Sequence, residues 1–324
     1  MSILKHQETK DMAASKQFTE TGNGLLVRAP GKINLSLLVA GKRPDGYHEL
    51  ETIMAKINWF DEILIEERKK SGIELICKGP YEVPAGEDNL VYKAVKLILE
   101  TARRKAEDRR QKTESREQRT GLKITLTKNI PAGTGLGSGS SDAAGTLMGI
   151  NRFLKLGFSK KKLMELADKL GSDVAFFLGG PLAMCTGRGE KVKKIDKCEF
   201  GVLLIVPDVN VSTQRVYANY RHNSAKYERL HKEINGHIKK KRIDLVCELC
   251  ANMLQESCFE LNTKLKELKK GIEETGIRPL CLSGSGSSMY CIIDKSNEEK
   301  IVTYQNKLAR EFGCKSMILN SNGW

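Results

Sequence analysis

The sequence predicts a chain of mixed helices and strands, α+β in class, and three observations carry that prediction. In the first, residues 33–39 alternate, with Ile33, Leu35, Leu37 and Val39 set against Asn34 and Ser36 as in a half-buried strand. In the second, a strand-like run at 122–127 enters a Gly/Ser loop that leads straight into a helix. Its apolar positions Ala143, Leu147, Ile150 and Leu154 recur at helical spacing. In the third, an unbroken apolar strand at 201–206 precedes mostly helical sequence to about Thr275 and a second Gly/Ser stretch at 280–290. At 324 residues the chain has room for two modest domains or one large one.

Taken in order, residues 1–24 lack both an apolar core and arginine, unlike a secretory signal or transit peptide, and read as a frayed extension. Pro30-Gly31 marks a turn, so Lys32 stands at the entrance of the 33–39 strand, and Lys32 and Asn34 share a face. Pro44-Asp45-Gly46 is a further turn that delivers Tyr47 and His48 to a loop edge. Two strands follow, at 53–57 and 62–66. Asn89 then ends the cap of a helix running to about Lys105.

The glycine stretch is Pro131, Ala132, Gly133, Thr134, Gly135, Leu136, Gly137, Ser138, Gly139, Ser140 and Ser141, with Asp142 next. Glycine permits positive φ and lets a ligand approach bare N–H groups. A helix starting near 140–142 adds unpaired amide donors and the positive end of its dipole, so the stretch reads as a phosphate cradle. It is not the nucleotide P-loop, because Gly139 is followed by Ser140-Ser141 instead of Lys-Ser/Thr. Gly133, Gly135 and Ser138 also fail the glycine spacing of the dinucleotide fingerprint. The alternative is a flexible linker, which sits poorly between a strand and a periodic helix.

Ser159 starts another helix, predicted through Leu170, and Asp173 follows in a Gly-Ser-Asp turn. Its carboxylate is either a helix cap or a general base held near the phosphate site. Residues 181–192 read as a hairpin.

Composition narrows the classes. No run approaches the roughly 18 apolar residues of a membrane span. Nine scattered cysteines predict reduced thiols in a cytosol, and Cys247-Glu-Leu-Cys250 has no second pair at zinc spacing. The net charge of +14 is partly local, in 103–119 and 239–242. Neither cluster interleaves aromatics, so solvated faces are expected and a polyanion site is not.

Together the motifs resemble those of the GHMP small-molecule kinases. Residues 131–144 are similar to that family's ATP-phosphate motif, 28–38 to its first motif and 282–288 to its third. The resemblance spans nearly all of 25–324. It implies a flexible extension (1–24), a ribosomal-S5-like N-terminal ATP-binding domain (25–185) and an α/β substrate-side domain (186–324), with the active site in the cleft between them. Within the superfamily, segments 30–37, 42–50, 87–91, 171–174 and 186–191 are similar to the 4-diphosphocytidyl-2-C-methylerythritol kinases, with Tyr-His after Asp-Gly as the branch-specific element. That branch phosphorylates the 2-hydroxyl of its substrate with ATP in the non-mevalonate route to isoprenoids.

Carried over residue by residue, the resemblance makes Asp173 the catalytic aspartate and Lys32 the lysine beside it. Asn34 and His48 fall on substrate-binding positions, Tyr47 and Tyr217 on the aromatics that sandwich cytosine, and Thr213 on a substrate contact. Asn89, Lys128 and residues 131–141 fall on the ATP side, and Gly284, Ser285 and Gly286 on the third-motif loop. ATP and Mg²⁺ are implied. The metal ligands are unassigned, although Ser138 stands where many of the branch carry glycine and, as in mevalonate-type relatives, is expected to face magnesium. A cytoplasmic monomer or weak homodimer acting on a small molecule is implied, with no nucleic-acid or membrane partner. The competing readings are a GHMP kinase for homoserine or a mevalonate-pathway intermediate, a nucleic-acid binder, and a nucleotide sensor.

Overall fold

In the computed structural model, residues 16–108, 121–293 and 298–324 are described. Residues 1–15 and most of the basic stretch 103–119 lie outside them.

Two long strands make the spine: β2 (Gly24–Lys42) and β3 (His48–Arg68), paired antiparallel along their length. The two strands expected at 53–57 and 62–66 are therefore one. Its β-branched and aromatic residues continue through the polar Asn58, whose Oδ1 accepts the N–H of Asn320 (2.7 Å). The pairing shifts between Pro30 and Gly31, where proline has no N–H to donate. Just beyond, the Lys32 N–H leaves the sheet and donates to the Leu136 carbonyl of the glycine stretch (2.9 Å).

Among the described residues the first sheet has seven strands. β1 (Phe18–Thr21) pairs with β2, and β5 (Gly121–Thr127) pairs with the far half of β3 and, in parallel, with β4 (Ile73–Lys78). The near half of β3 pairs with β6 (Leu182–Gly187), which carries β7 (Lys191–Lys194) on its outer edge. Two differences from the sequence reading follow. Residues 18–21 belong to the sheet, because Phe18 packs on its core and Arg152 lies 5.2 Å over that ring, tying down part of the expected extension. The boundary expected at 185/186 cuts through β6, so the first sheet runs to Lys194.

Both faces of this sheet are covered. One packs on α1 (Leu90–Asp108) and α2 (Ser138–Phe153), through Val27, Ile63 and Ile65 against Val95, Leu147 and Ile150. The other presents Ile33, Leu35, Leu37, Ile53 and Ile57 to the second half of the chain. That half is an antiparallel sheet in the order β11 (Lys315–Asn320), β8 (Gly201–Val206), β10 (Met289–Ile293), β9 (Cys281–Leu282). Around it lie α5 (Thr213–Ala218), α6 (Ser224–Lys239), α7 (Ile243–Glu248), α8 (Gln255–Leu261), α9 (Thr263–Glu274) and α10 (Glu298–Phe312). Within the first half, α3 (Lys160–Ala167) and the four-residue α4 (Val174–Phe177) lead to β6 and pack on the same core as α1 and α2.

The expectation that all nine cysteines are free thiols is corrected: Cys250 and Cys281 form a disulfide. Cys250 lies beyond the end of α7 at φ +43° and bonds to Cys281 of β9. Among the described residues no cluster of metal-ligating side chains occurs, and no helix is long and apolar enough to cross a membrane.

Candidate active site

A cavity of about 1020 Å³ lies between the two halves of the chain. One end is built by the glycine stretch. Gly133, Gly135 and Gly137 all have positive φ, and Gly137 at +67° is the N-cap of α2. The helix starts at Ser138, two residues ahead of the expected start, because glycine alone turns the chain into it without a capping side chain. Its first N–H groups have no intrahelical partner and sit at the positive end of the dipole.

The two Gly/Ser loops pack back to back. Ser288 N–H donates to the Thr134 carbonyl (3.1 Å), and the Ser283 hydroxyl donates to that of Gly135 (2.9 Å). A Cβ on Gly135 would lie 2.1 Å from the Ser283 carbonyl oxygen, so this contact admits only glycine.

The polar face of β2, which an isolated strand would turn to water, is the cavity floor. Lys32 and Asn34 are buried there. Lys32 Nζ donates to Asn34 Oδ1 at 2.5 Å and lies 3.6 Å from the Asp173 carboxylate. Asn34 in turn donates to Thr52 Oγ1 (2.8 Å), which donates to the Ser36 carbonyl. Asp173 occupies the N-cap position of α4 yet makes no side-chain cap, which leaves its carboxylate to the cavity and to Lys32. Gly189 passes beside it, where an added Cβ would stand in ordinary contact with Asp173 Oδ1 at 3.5 Å.

The opposite end is aromatic. The His48 ring lies 5.3 Å from that of Tyr217 and meets Tyr220 edge-on at 5.8 Å. Burial, with help from the charges of Lys42 and His222, pulls His48 below the usual imidazole value. Its neutral ring offers one donor and one acceptor. Tyr47 is half exposed, with Arg188 stacked 4.9 Å over its ring. Burial raises the Tyr217 hydroxyl pKa. Thr213 shares a 2.8 Å hydrogen bond with Ser285 of the second loop.

Lys32, Asn34, Tyr47, His48, Asp173, Thr213 and Tyr217 thus line one cavity, with Ala132, Gly133, Gly135, Gly137–Ser140, Gly284 and Ser285. Pro131, Thr134, Leu136, Ser141 and Gly286 do not line it and belong to the framework of the two loops. Asn89 and Lys128 also lie off it. Asn89 caps α1 through Val91 N–H, and Lys128 is buried against Asp61, Asp142 and Ser138. The sequence reading missed Thr52, Arg188 and Tyr220. Arg188 stood inside a quoted segment without a role, and Tyr220 lies three residues beyond Tyr217 with no motif to mark it.

The chain matches the GHMP kinases N terminal domain over residues 89–181 and the GHMP kinases C terminal domain over 235–309. It belongs to the GHMP kinase family. Within it, the chain is 36% identical over 275 residues to 4-diphosphocytidyl-2-C-methyl-D-erythritol kinase of Geobacillus sp. (strain WCH70), covering 83% of this chain and 88% of that one. The corresponding enzyme of Bacillus cereus (strain B4264) is 36% identical over 272 residues, with the same coverage. A crystal structure of 4-(cytidine 5'-diphospho)-2C-methyl-D-erythritol kinase superimposes with a TM-score of 0.67 at 29% identity, covering 91% of this chain and 98% of that one. Homoserine kinase from Cytophaga hutchinsonii shares the fold, with a TM-score of 0.70 at 19% identity over 95% of this chain and 98% of that one. The chain is therefore a phosphotransferase with an alcohol acceptor, on the branch whose relatives carry that cytidine-diphosphate name.

Proposed function

We propose that this chain transfers the γ-phosphoryl group of ATP to the 2-hydroxyl of 4-diphosphocytidyl-2-C-methyl-D-erythritol, in the cytoplasm. The observation that carries the reading is the single cavity. It has amide donors and the Lys32–Asp173 pair at one end, and His48 between two tyrosine rings at the other. That is the polarity of a substrate with a reacting polyol joined to a pyrimidine nucleotide.

Phosphoryl transfer needs positioning and charge neutralisation through a loose transition state. The amides of the glycine stretch hold the triphosphate. Lys32 neutralises charge at the transferred group and lies 3.6 Å from the Asp173 carboxylate. As the hydroxyl oxygen bonds to the γ-phosphorus, the bond to the β–γ bridging oxygen breaks. The hydroxyl proton passes to an Asp173 oxygen, and ADP leaves. Asn34, braced by Thr52, fixes the Lys32 ammonium.

Magnesium fits the oxygens on this wall. The Ser138 and Ser140 hydroxyls and the Asp173 carboxylate are hard donors, and Mg²⁺ commonly takes one or two carboxylates and fills its shell with phosphates and water. Ser138 Oγ accepts a hydrogen bond from the buried Lys128 (2.8 Å), which fixes the hydroxyl. Bound there, the ion supplies charge neutralisation to the phosphate oxygens.

ADP release with ATP and Mg²⁺ tests the reading, comparing diphosphocytidyl-methylerythritol with mevalonate, phosphomevalonate and homoserine. Turnover of the cytidine substrate alone is expected, and turnover of another alcohol instead overturns the pyrimidine end. Tyr47→Ala should raise KM for the cytidine substrate much more than KM for ATP.

A further inference from the structure

Lys56 is one of the largest fully buried side chains among the described residues, and no carboxylate of those residues pairs with it. Its Nζ donates instead to two main-chain carbonyls, those of Phe177 and Gly179, each at 3.1 Å. These oxygens lie at the exit of α4, whose entrance is Asp173. The segment from 173 to 181 arches over this side chain and closes on the same residue, because Lys56 N–H donates to the Pro181 carbonyl (2.8 Å). The Phe177 ring reaches the other way, ending 3.2 Å from where a Cβ on Gly137 would lie, behind the glycine stretch. A helix of four residues holds little by itself, so its position must come from such contacts.

We propose that Lys56 is a positioning residue for phosphoryl transfer, fixing the exit of α4 so that Asp173 at its entrance stays beside Lys32 and Phe177 stays against the glycine stretch. The proposal rests on the role given to Asp173 above. Lys56 touches neither substrate, and it does not line the cavity. Two carbonyls need two donors, and a neutral amine supplies them as an ammonium does. Burial favours that neutral form, pulling the group down to about 7.

The expected consequence is a loss in kcat with unchanged binding. Lys56→Met keeps the apolar stem and removes the donors, and Lys56→Gln is shorter but keeps an N–H donor pair. Lys56→Met should lower kcat roughly 10- to 100-fold with KM for both substrates within about 2-fold, the size expected when a reacting group is slightly misplaced. Lys56→Gln should recover part of the loss. Asp173→Asn should cost less in the Lys56→Met background than in the wild type, since the two residues act as one unit. A kcat within about 2-fold of wild type in Lys56→Met, or an equal cost of Asp173→Asn in both backgrounds, overturns the proposal. If neither Lys56 variant folds, Lys56 is a folding residue and the proposal is likewise overturned. An unchanged kcat in Asp173→Asn alone is a different failure, which removes the role of Asp173 whatever Lys56 does.

Discussion

The glycine stretch and the Asp173 turn each rest on a fully buried lysine, and the two lysines are held by opposite chemistry. Beneath the glycine stretch, Lys128 bridges the carboxylates of Asp61 and Asp142 and the Ser138 hydroxyl. Asp61 also accepts the N–H groups of Asn129 (2.6 Å) and Ile130 (2.9 Å), where the chain enters the loop. Burial works against the Lys128 charge, but the two carboxylates outweigh it and hold its pKa above the usual lysine value. Beneath the Asp173 turn, Lys56 donates to two carbonyls with the Phe176 ring 6.0 Å from its Nζ, and burial pulls it down to about 7. The glycine stretch is set on a buried cluster of one lysine and two acids, in which burial pushes Asp142 up to about 8. The turn that carries Asp173 beside Lys32 is set on carbonyl hydrogen bonds from a lysine that burial pushes toward its neutral form.

The largest expected effect is on rate. Asp173→Asn should lower kcat by about 10²–10⁴ while the denaturation midpoint stays close to wild type, since Asp173 caps nothing. A large loss of stability would instead make it part of the turn's framework. Next comes Lys128→Met, which leaves two buried carboxylates facing each other. A loss of about 3–5 kcal/mol in urea denaturation is expected, and a neutral result would dissolve the contrast between the two lysines.

Lys56 gives the pH test. Its native value lies near 7, against an ordinary 10.5. Between those values the unfolded chain binds a proton that the native one does not, so stability rises with pH across the window. Below about 7 the full penalty of burying the charge is present. Lys56→Met lacks this term, so wild-type stability relative to the variant should climb from pH 7 to 10 by on the order of 1–4 kcal/mol. A flat difference over that range would mean that Lys56 stays charged. The smallest effect belongs to Asp142→Asn. It keeps the shape and leaves Asp61 to neutralise Lys128, so roughly 1–2 kcal/mol should be lost in the same assay. A loss equal to that of Lys128→Met would show that the cluster needs both carboxylates.

Residues that act through a local pattern were legible in the sequence. The glycine stretch, the Pro-Gly before Lys32 and the turn that delivers Tyr47 and His48 each need a backbone conformation that a few residue types supply, and that need leaves a signature over ten residues or fewer. Asp173 was legible only as one of two possibilities. What separates them is Lys32, which lies 3.6 Å away in space and far away in the chain. Lys56 could not be read, because a lysine in an apolar strand looks like an exposed position until a second layer covers it. Asp61 and Lys128 meet across 67 residues of chain, with no spacing that announces them. The pairing of Cys250 with Cys281, in preference to its near neighbour Cys247, likewise depends on where the chain turns after α7.

The 21-residue strand β3 touches every part of this machinery. His48, Thr52 and Lys56 share one of its faces, each four residues from the next. They serve the aromatic end, the Lys32–Asn34 floor and the Asp173 turn in that order. Asp61, further along, anchors the glycine stretch. The strand is thus a ruler on which the separations along the cavity are marked off. Loops at the rim can change length between relatives without moving the chemistry. Inserting or deleting one residue between His48 and Asp61 would invert the faces and displace several working parts at once.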